Sequence, residues 1–262
     1  MADPDAILEP LRADPGRAAI LCDIDGTLAP IVEAPALAAV PAQARRLLAE
    51  LAGRYRLVAC VTGRRAAAAR QIVGLDQLTY AGNHGLELLE PGESEARLDS
   101  ALGGRAALAA EFAARLDWPR LESIGLRLED KGPIQAVHWR GAGDEAIAEQ
   151  RARVLAELAV EEGLHPHFGR MVLELRPVAE VDKGLAARRL VEAAGVRAAI
   201  FGGDDATDLD AFAALAEMIA AGELEHAVRV GVASSEGPPE IQRAADLVVS
   251  GTDGFLDLLE RL

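Results

Sequence analysis

The sequence predicts an α/β protein: a doubly wound core of parallel strands and helices, with a second, α+β layer presenting an open sheet face inserted into it. Three observations carry this expectation. Short apolar runs alternate with helical segments toward both ends of the chain, as in a parallel sheet. Between about Leu86 and Pro177 the alternation gives way to several successive strands with two helices among them. Polar residues also follow directly on several apolar runs, where doubly wound sheets hold their ligands.

The elements follow in order. Ala18 to Cys22 reads as a buried strand running into Asp23, Ile24, Asp25, Gly26 and Thr27. The Pro- and Ala-rich stretch from Ala29 to Val40 reads as a loop able to lie over that strand end. Pro41 then opens a helix over Ala42–Leu51, stopped by Gly53. A strand over Arg56–Val61 delivers Thr62, Gly63 and Arg64, and a basic, Ala-rich helix spans Arg65–Val73. Leu78–Ala81 is a short strand ending in Gly82-Asn83-His84-Gly85. The insert reads as a strand from Leu86, a helix over Gly104–Leu116, strands over Ile124–Leu128 and Ile134–Trp139, a helix over Asp144–Glu162 and a strand over Met171–Leu175. Alternation then resumes with a helix over Lys183–Ala194 closed by Gly195, and a strand over Ala198–Phe201 running into Gly202-Gly203-Asp204-Asp205. A helix over Asp208–Ala220, strands over Val228–Val232 and Leu247–Val249, and a helix over Gly254–Leu262 complete the chain. The expected domains are therefore 1–85 and 179–262 for the core and 86–178 for the insert. Hinges near Gly82–Gly85 and Arg176–Asp182 would let the insert close over a site.

Composition narrows the function. Half of the 262 residues are apolar but only 3% are aromatic, which argues against base-stacking surfaces and aromatic sugar clefts. A net charge of −15 opposes nonspecific binding to nucleic acid and to acidic membranes. Cys22 and Cys60 each lie within an apolar run as small buried hydrophobes, with no zinc spacing around them. The acidic N-terminus lacks a signal-peptide core, and no apolar run approaches the roughly 20 residues that span a bilayer. A cytoplasmic monomer acting on a small molecule, without nucleic-acid or membrane partners, is the expectation.

The chemistry lies in the strand-end residues. An ionised Asp is a competent phosphoryl nucleophile, and carboxylates are the ligands Mg2+ prefers. Asp23, with an unperturbed pKa of about 3.9, would attack phosphorus. Mg2+ held by Asp23, Asp204 and the main-chain carbonyl of Asp25 would offset the repulsion between anions, with Lys183 neutralising further oxygens. Thr62 and the backbone N–H groups of the Ile24–Thr27 turn would donate to phosphate, and Asp25 would move protons to and from the departing and attacking oxygens. Taken singly, each residue has a plainer reading: Thr62 as a helix cap, Lys183 as a surface residue, and Asp204, Asp205 and Asp208 as caps of the following helix. Their joint placement at strand ends argues for function.

These motifs resemble a known family. DIDGTL at Asp23–Leu28, VTGR at Val61–Arg64, Lys183 and GDDATD at Gly203–Asp208 occur in the order found in haloacid-dehalogenase-like phosphatases. The interval between Asp25 and Thr62 is too short for a cap, so the insert falls later. The resemblance implies a Rossmann-like core with an α/β cap. It is closest to trehalose-6-phosphate phosphatases, whose core–cap junction the GNHG of Gly82–Gly85 resembles. LEDKGPIQAVHWR and GRMVLELRP resemble their cap segments, with Trp139 where Tyr is usual. The resemblance implies a Mg2+-dependent phosphatase acting on trehalose 6-phosphate. It also implies phosphate contacts from Gly26, Thr27, Thr62, Gly63 and Lys183, and supporting roles for Asp205 and Asp208. Sugar contacts would come from Glu129, Lys131, His138, Arg140 and Glu174, with Asn83 and His84 at the hinge. The same chemistry on another phosphosugar or a cyclitol phosphate is the nearest alternative. A receiver-like signalling domain places its acidic pair before the acceptor Asp, the reverse of the order here. A silent phosphosugar-binding module would not need the full set of Asp23, Asp25, Thr62, Lys183 and Asp204.

Overall fold

The computed structural model describes residues 3–32, 38–178, 181–234 and 237–262. Residues 33–37 of the expected covering loop and 179–180 of the expected second hinge lie outside the described residues. The chain divides into two compact units, Met1–Arg97 with Val181–Leu262, and Leu98–Glu180.

The first part of the larger unit runs α1 (Pro4–Ala13), β1 (Ala18–Cys22), α2 (Ala42–Ala52), β2 (Leu57–Val61), α3 (Ala66–Val73), β3 (Thr79–Gly82), β4 (Glu87–Leu89) and, at the boundary, β5 (Arg97–Leu98). The smaller unit holds α4 (Leu108–Ala114), α5 (Trp118–Ser123), β6 (Arg127–Lys131), β7 (Ile134–His138), α6 (Glu145–Glu161), β8 (His165–Gly169) and β9 (Val172–Arg176). The larger unit then resumes with α7 (Lys183–Ala194), β10 (Ala198–Gly203), α8 (Asp208–Ala220), β11 (His226–Ala233), α9 (Pro239–Ala244), β12 (Leu247–Ser250) and α10 (Gly251–Leu259).

Its sheet has the order β12-β11-β10-β1-β2-β3-β4-β5. The strands from β12 to β3 pair in parallel, and β4 turns back antiparallel on β3. β1 is buried on both faces. Ala18, Ile20 and Cys22 pack with residues of α1, α2, α3 and α10, while Ala19 and Leu21 pack with residues of α7 and α8. Helices on both faces are what a doubly wound sheet requires, and they explain why β1 reads as a continuous apolar run. The parallel pairing brings β1 beside β10 and β2, so Asp23, Thr62 and Asp204 emerge together at the same edge.

The strand expected to open the insert is β4, and it belongs to the larger unit's sheet. Its Glu87 is buried, and Oε2 accepts a 2.8 Å hydrogen bond from the N–H of Ala66, at the start of α3. Thr62 does not cap that helix. Instead its Oγ1 accepts from the N–H of Arg64 at 3.2 Å, and Glu87 reaches across from β4 to do the capping. Glu87→Ala strands a buried N–H and is expected to cost about 1–3 kcal/mol. Urea unfolding measures this; an unchanged midpoint refutes the cap.

The smaller unit is a four-stranded antiparallel sheet in the order β6-β7-β9-β8. Val137, Leu173 and Leu175 form a core with Ala148, Ala152, Leu155 and Ala159 of α6 and with Phe112 of α4. By strand alternation the other face carries polar residues, Glu129, His138 and Glu174 among them. Ala136 pairs with Glu129 on one side and Glu174 on the other, and His167 continues the row.

Candidate active site

Asp23 is the first residue past β1, and its N–H donates to the Gly202 carbonyl at 2.9 Å, continuing the pairing of β1 with β10. Asp204 is the first residue past β10. Asp208, on the first turn of α8, points back at the same place. One carboxylate oxygen from each of the three lies within 4.8 Å of the other two, and all three residues are buried. Lys183 opens α7, where a cation is poorly matched to the helix dipole. It is buried and held by Asp23 Oδ1 at 2.9 Å and Asp208 Oδ1 at 2.7 Å.

Three buried carboxylates thus face one ammonium. Burial pushes the Asp23 carboxyl well above the ordinary range; Lys183 opposes this, while Asp208, Asp204 and Asp25 reinforce it. Asp204 is pushed up to about 7, by burial first and then by Asp208, against the pull of Lys183 and the Thr27 hydroxyl. For Lys183, burial alone would lower the pKa, but Asp208 and Asp23 outweigh it and keep the side chain charged. Without a metal, then, Asp23 is not the ordinary carboxylate that its reference pKa suggests. A divalent cation would relieve the excess negative charge.

The donor set fits a small hard cation. Asp208 spends Oδ1 on Lys183 and Oδ2 on the N–H groups of Asp204 and Asp205, at 2.9 and 3.0 Å. Asp23 gives Oδ1 to Lys183, and Asp204 accepts from Thr27 Oγ1 through Oδ1 at 3.1 Å. The second oxygens of Asp23 and Asp204 remain for a metal that takes one or two carboxylates and keeps several waters. Asp208 orients the cluster from behind. Asp205 turns aside, its Oδ1 accepting from the N–H of Ala206.

The turn after Asp23 differs from the expectation. Gly26 and Thr27 were expected to offer their N–H groups to phosphate, but they donate inside the turn, to the Ala29 and Ile24 carbonyls. The Ile24 carbonyl also accepts from Leu28 and Ala29, so the turn closes on itself. Among the described residues, this leaves Ile24 and Asp25 as its remaining backbone donors. Gly26 has φ +86°, and a Cβ there would lie 2.1 Å from Asp204 Oδ2. Gly26→Ala is therefore expected to displace Asp204, weakening Mg2+ binding and turnover, at a backbone cost of roughly 1–3 kcal/mol. Calorimetric Mg2+ titration tests it, and wild-type affinity would refute the close approach.

Thr62 is buried past β2, and its carbonyl accepts from the His84 N–H at 2.9 Å. The Arg64 carbonyl accepts from the Asn83 N–H at 2.7 Å, and Gly63 lies against the His84 ring. Asn83 and His84, expected at a hinge, are buried within the larger unit, both with positive φ. The chain leaves that unit only at Arg97–Leu98, because β4 and Glu87 hold the intervening residues to β3 and α3. The Asp25 carboxylate is in contact with a group that sequence reasoning did not use. Arg64 donates to it twice, Nε to Oδ2 at 2.6 Å and Nη2 to Oδ1 at 2.7 Å.

In the smaller unit, Glu174 is buried between two cations. Lys131 Nζ donates to Oε1 at 2.9 Å, and Arg176 donates to Oε2 from Nε at 3.1 Å and Nη2 at 2.7 Å. Arg176 was missed as a member of this group, although its place two residues after Glu174 on a strand signals the same face. His138 Nε2 lies 2.8 Å from Glu129 Oε2. Arg140 stands apart in the turn after β7, exposed, its carbonyl accepting from Arg127.

Parallel strands that end in Asp23, Thr62 and Asp204, with Lys183 heading a neighbouring helix, are the arrangement that the resemblance to haloacid-dehalogenase-like phosphatases implies. A haloacid dehalogenase-like hydrolase from Bacteroides thetaiotaomicron superposes with TM-score 0.62 at 16% identity, over 93% of this chain and 98% of that one. A sequence model described as trehalose-phosphatase matches residues 21–247, and the chain belongs to the trehalose-phosphatase family. The trehalose-phosphate phosphatase of Mycobacterium marinum is 37% identical over 205 residues, covering 76% of this chain and 52% of that protein. An uncharacterized glycosyl hydrolase of Mycobacterium tuberculosis is 38% identical over 209 residues, 76% of this chain but 15% of that protein. The chain therefore spans about half, or less, of the length of these relatives. The crystal structure of a trehalose-6-phosphate phosphatase related protein superposes with TM-score 0.72 at 26% identity, over 92% of this chain and 95% of that one.

Proposed function

We propose that this chain is a Mg2+-dependent phosphatase that hydrolyses trehalose 6-phosphate to trehalose and phosphate. The observation that carries the reading is the buried cluster of Asp23, Asp204 and Asp208 against Lys183 at adjoining strand ends. Family membership supports the substrate class. When bound by Asp23 and Asp204, Mg2+ would neutralise charge on the transferring phosphoryl group.

The chain's own residues do the rest. An Asp23 oxygen forms a bond to phosphorus as the bond to the sugar oxygen breaks, and Asp25 gives that oxygen its proton. Asp25 then takes a proton from the water whose oxygen attacks phosphorus, releasing phosphate and regenerating Asp23. Lys183 pulls the Asp23 pKa down against the effect of burial and balances phosphoryl charge. The Thr62 hydroxyl, whose oxygen already accepts from Arg64, keeps its hydrogen for a phosphate oxygen.

The smaller unit serves as the cap. Its Glu129, Lys131, His138 and Glu174 receive the sugar hydroxyls, with Arg176 holding Glu174 in place. Release of phosphate from a panel of phosphorylated sugars and cyclitols, with Mg2+ and with chelator, tests the reading. Trehalose 6-phosphate is expected to be the best substrate and Mg2+ obligatory. A compound turned over far faster reassigns the sugar, and undiminished turnover in chelator overturns the metal.

A further inference from the structure

Three of the carboxylates at this site are placed by the fold itself. Asp23 and Asp204 issue directly from β1 and β10, Asp208 from the first turn of α8, and all are buried. Asp25 is different. It lies in the turn beyond β1, and its side chain is 36% exposed, so the strand does not fix its rotamer. What holds it is the Arg64 guanidinium, which grips both carboxylate oxygens at 2.6 and 2.7 Å. Arg64 is itself anchored: its N–H donates to Thr62 Oγ1, its carbonyl accepts from Asn83, and its side chain is only 19% exposed. Two planar groups joined by two hydrogen bonds have one good relative orientation, which a lysine cannot reproduce.

We propose that Arg64 is the positioning residue of the proton-transfer step, fixing the place of the Asp25 carboxylate without taking part in phosphoryl binding. The inference rests on the acid–base role given to Asp25 above. A group that moves a proton must sit within hydrogen-bond reach of the oxygen concerned, and displacement by about 1 Å costs on the order of 100-fold in rate. Left ungripped, the exposed side chain of Asp25 samples several rotamers. The defect on losing Arg64 must therefore appear wherever a proton is needed and vanish where it is not.

The test uses leaving groups. A sugar alkoxide departs only with a proton, whereas p-nitrophenolate departs without one. With p-nitrophenyl phosphate, the first burst of nitrophenol reports transfer to Asp23, and the steady state also includes hydrolysis. Arg64→Gln and Arg64→Lys are expected to keep the burst rate and to lower the steady-state rate. On trehalose 6-phosphate, kcat is expected to fall about tenfold or more with KM little changed. Asp25→Asn is expected to show the same pattern more strongly, and adding Arg64→Gln to it should cost nothing further, since the two act as one unit.

Loss of the burst in both Arg64 variants, or a raised KM with kcat kept, would assign Arg64 to phosphate or substrate binding and overturn the inference. So would wild-type behaviour of Arg64→Lys, or a full additional loss in the double variant. Failure of the underlying reading looks different: wild-type protein releases no phosphate, or Asp25→Asn itself slows both leaving groups equally.

Discussion

Asp23→Asn is expected to abolish phosphate release, by about 10^4-fold or more, while the protein remains folded. Asparagine matches the shape of aspartate but supplies no anionic oxygen to bond phosphorus. Removing the charge also relieves its neighbours. Asp204 and Asp208 lose one like-charged partner, and Lys183 keeps its 2.7 Å contact with Asp208. The metal-free variant should therefore melt no lower than wild type. Mg2+ should stabilise it less, because one of the two expected carboxylate ligands has lost its charge. Acid-quenched wild type incubated with substrate should carry alkali-labile, hydroxylamine-sensitive phosphate, and the variant none. A variant that still turns over, or one that is fully active but unstable, would separate Asp23 from the chemistry.

Much of this site was legible in the sequence because strand ends in parallel sheets have a fixed address. The AAILC run identifies a strand buried on both faces, and whatever follows it must emerge at the ligand-bearing edge. Lys183–Ala194 was equally plain, closed by Gly195 with φ +62°; Asp182, read as the end of a hinge, is its N-cap and accepts from the Leu185 N–H at 2.7 Å. Less plain were elements whose signals are short or blended. Six-residue α5, which begins Trp-Pro after Asp117, is too short to show a helical period, and β6 falls at Arg127–Lys131, later than the expected Ile124–Leu128. Strand β8, His-Pro-His-Phe-Gly, has no apolar alternation to reveal it, because it is an edge strand. Helix α1 was hidden by its acidic, proline-bearing composition, although Leu8 and Leu11 are buried.

Apart from Arg176 beside Glu174, the contacts that sequence reasoning missed join residues brought together by tertiary structure. Arg64 meets Asp25 from the neighbouring strand end, Glu87 caps α3 from β4, and Lys131 meets Glu174 across β7. A residue's type announces that it needs a partner. Only the register names which one.

Lys183→Met is the substitution expected to unsettle the fold most. It removes the cation in direct contact with Asp23 and Asp208 and leaves three buried carboxylates facing one another, a loss of about 3–5 kcal/mol at neutral pH. Turnover should vanish with it. The pH dependence identifies the cause. Asp204 in the folded protein titrates near 7, above its unfolded value, so its stabilising, protonated form is fully present at low pH and is lost as pH rises through 7. Metal-free wild type should therefore lose stability between about pH 4 and 7. Losing Lys183 removes a pull that lowers the pKa of both Asp204 and Asp23, so protonation persists to higher pH. The difference between variant and wild type should accordingly be small at pH 5 and large at pH 8. Mg2+ should recover more stability at pH 8 than at pH 5, since it binds the deprotonated cluster. Thermal melts of both proteins at the two pH values, with chelator and with Mg2+, make the comparison. A pH-independent difference would mean that Lys183 stabilises by packing alone, and that the buried carboxylates are not the charges it balances.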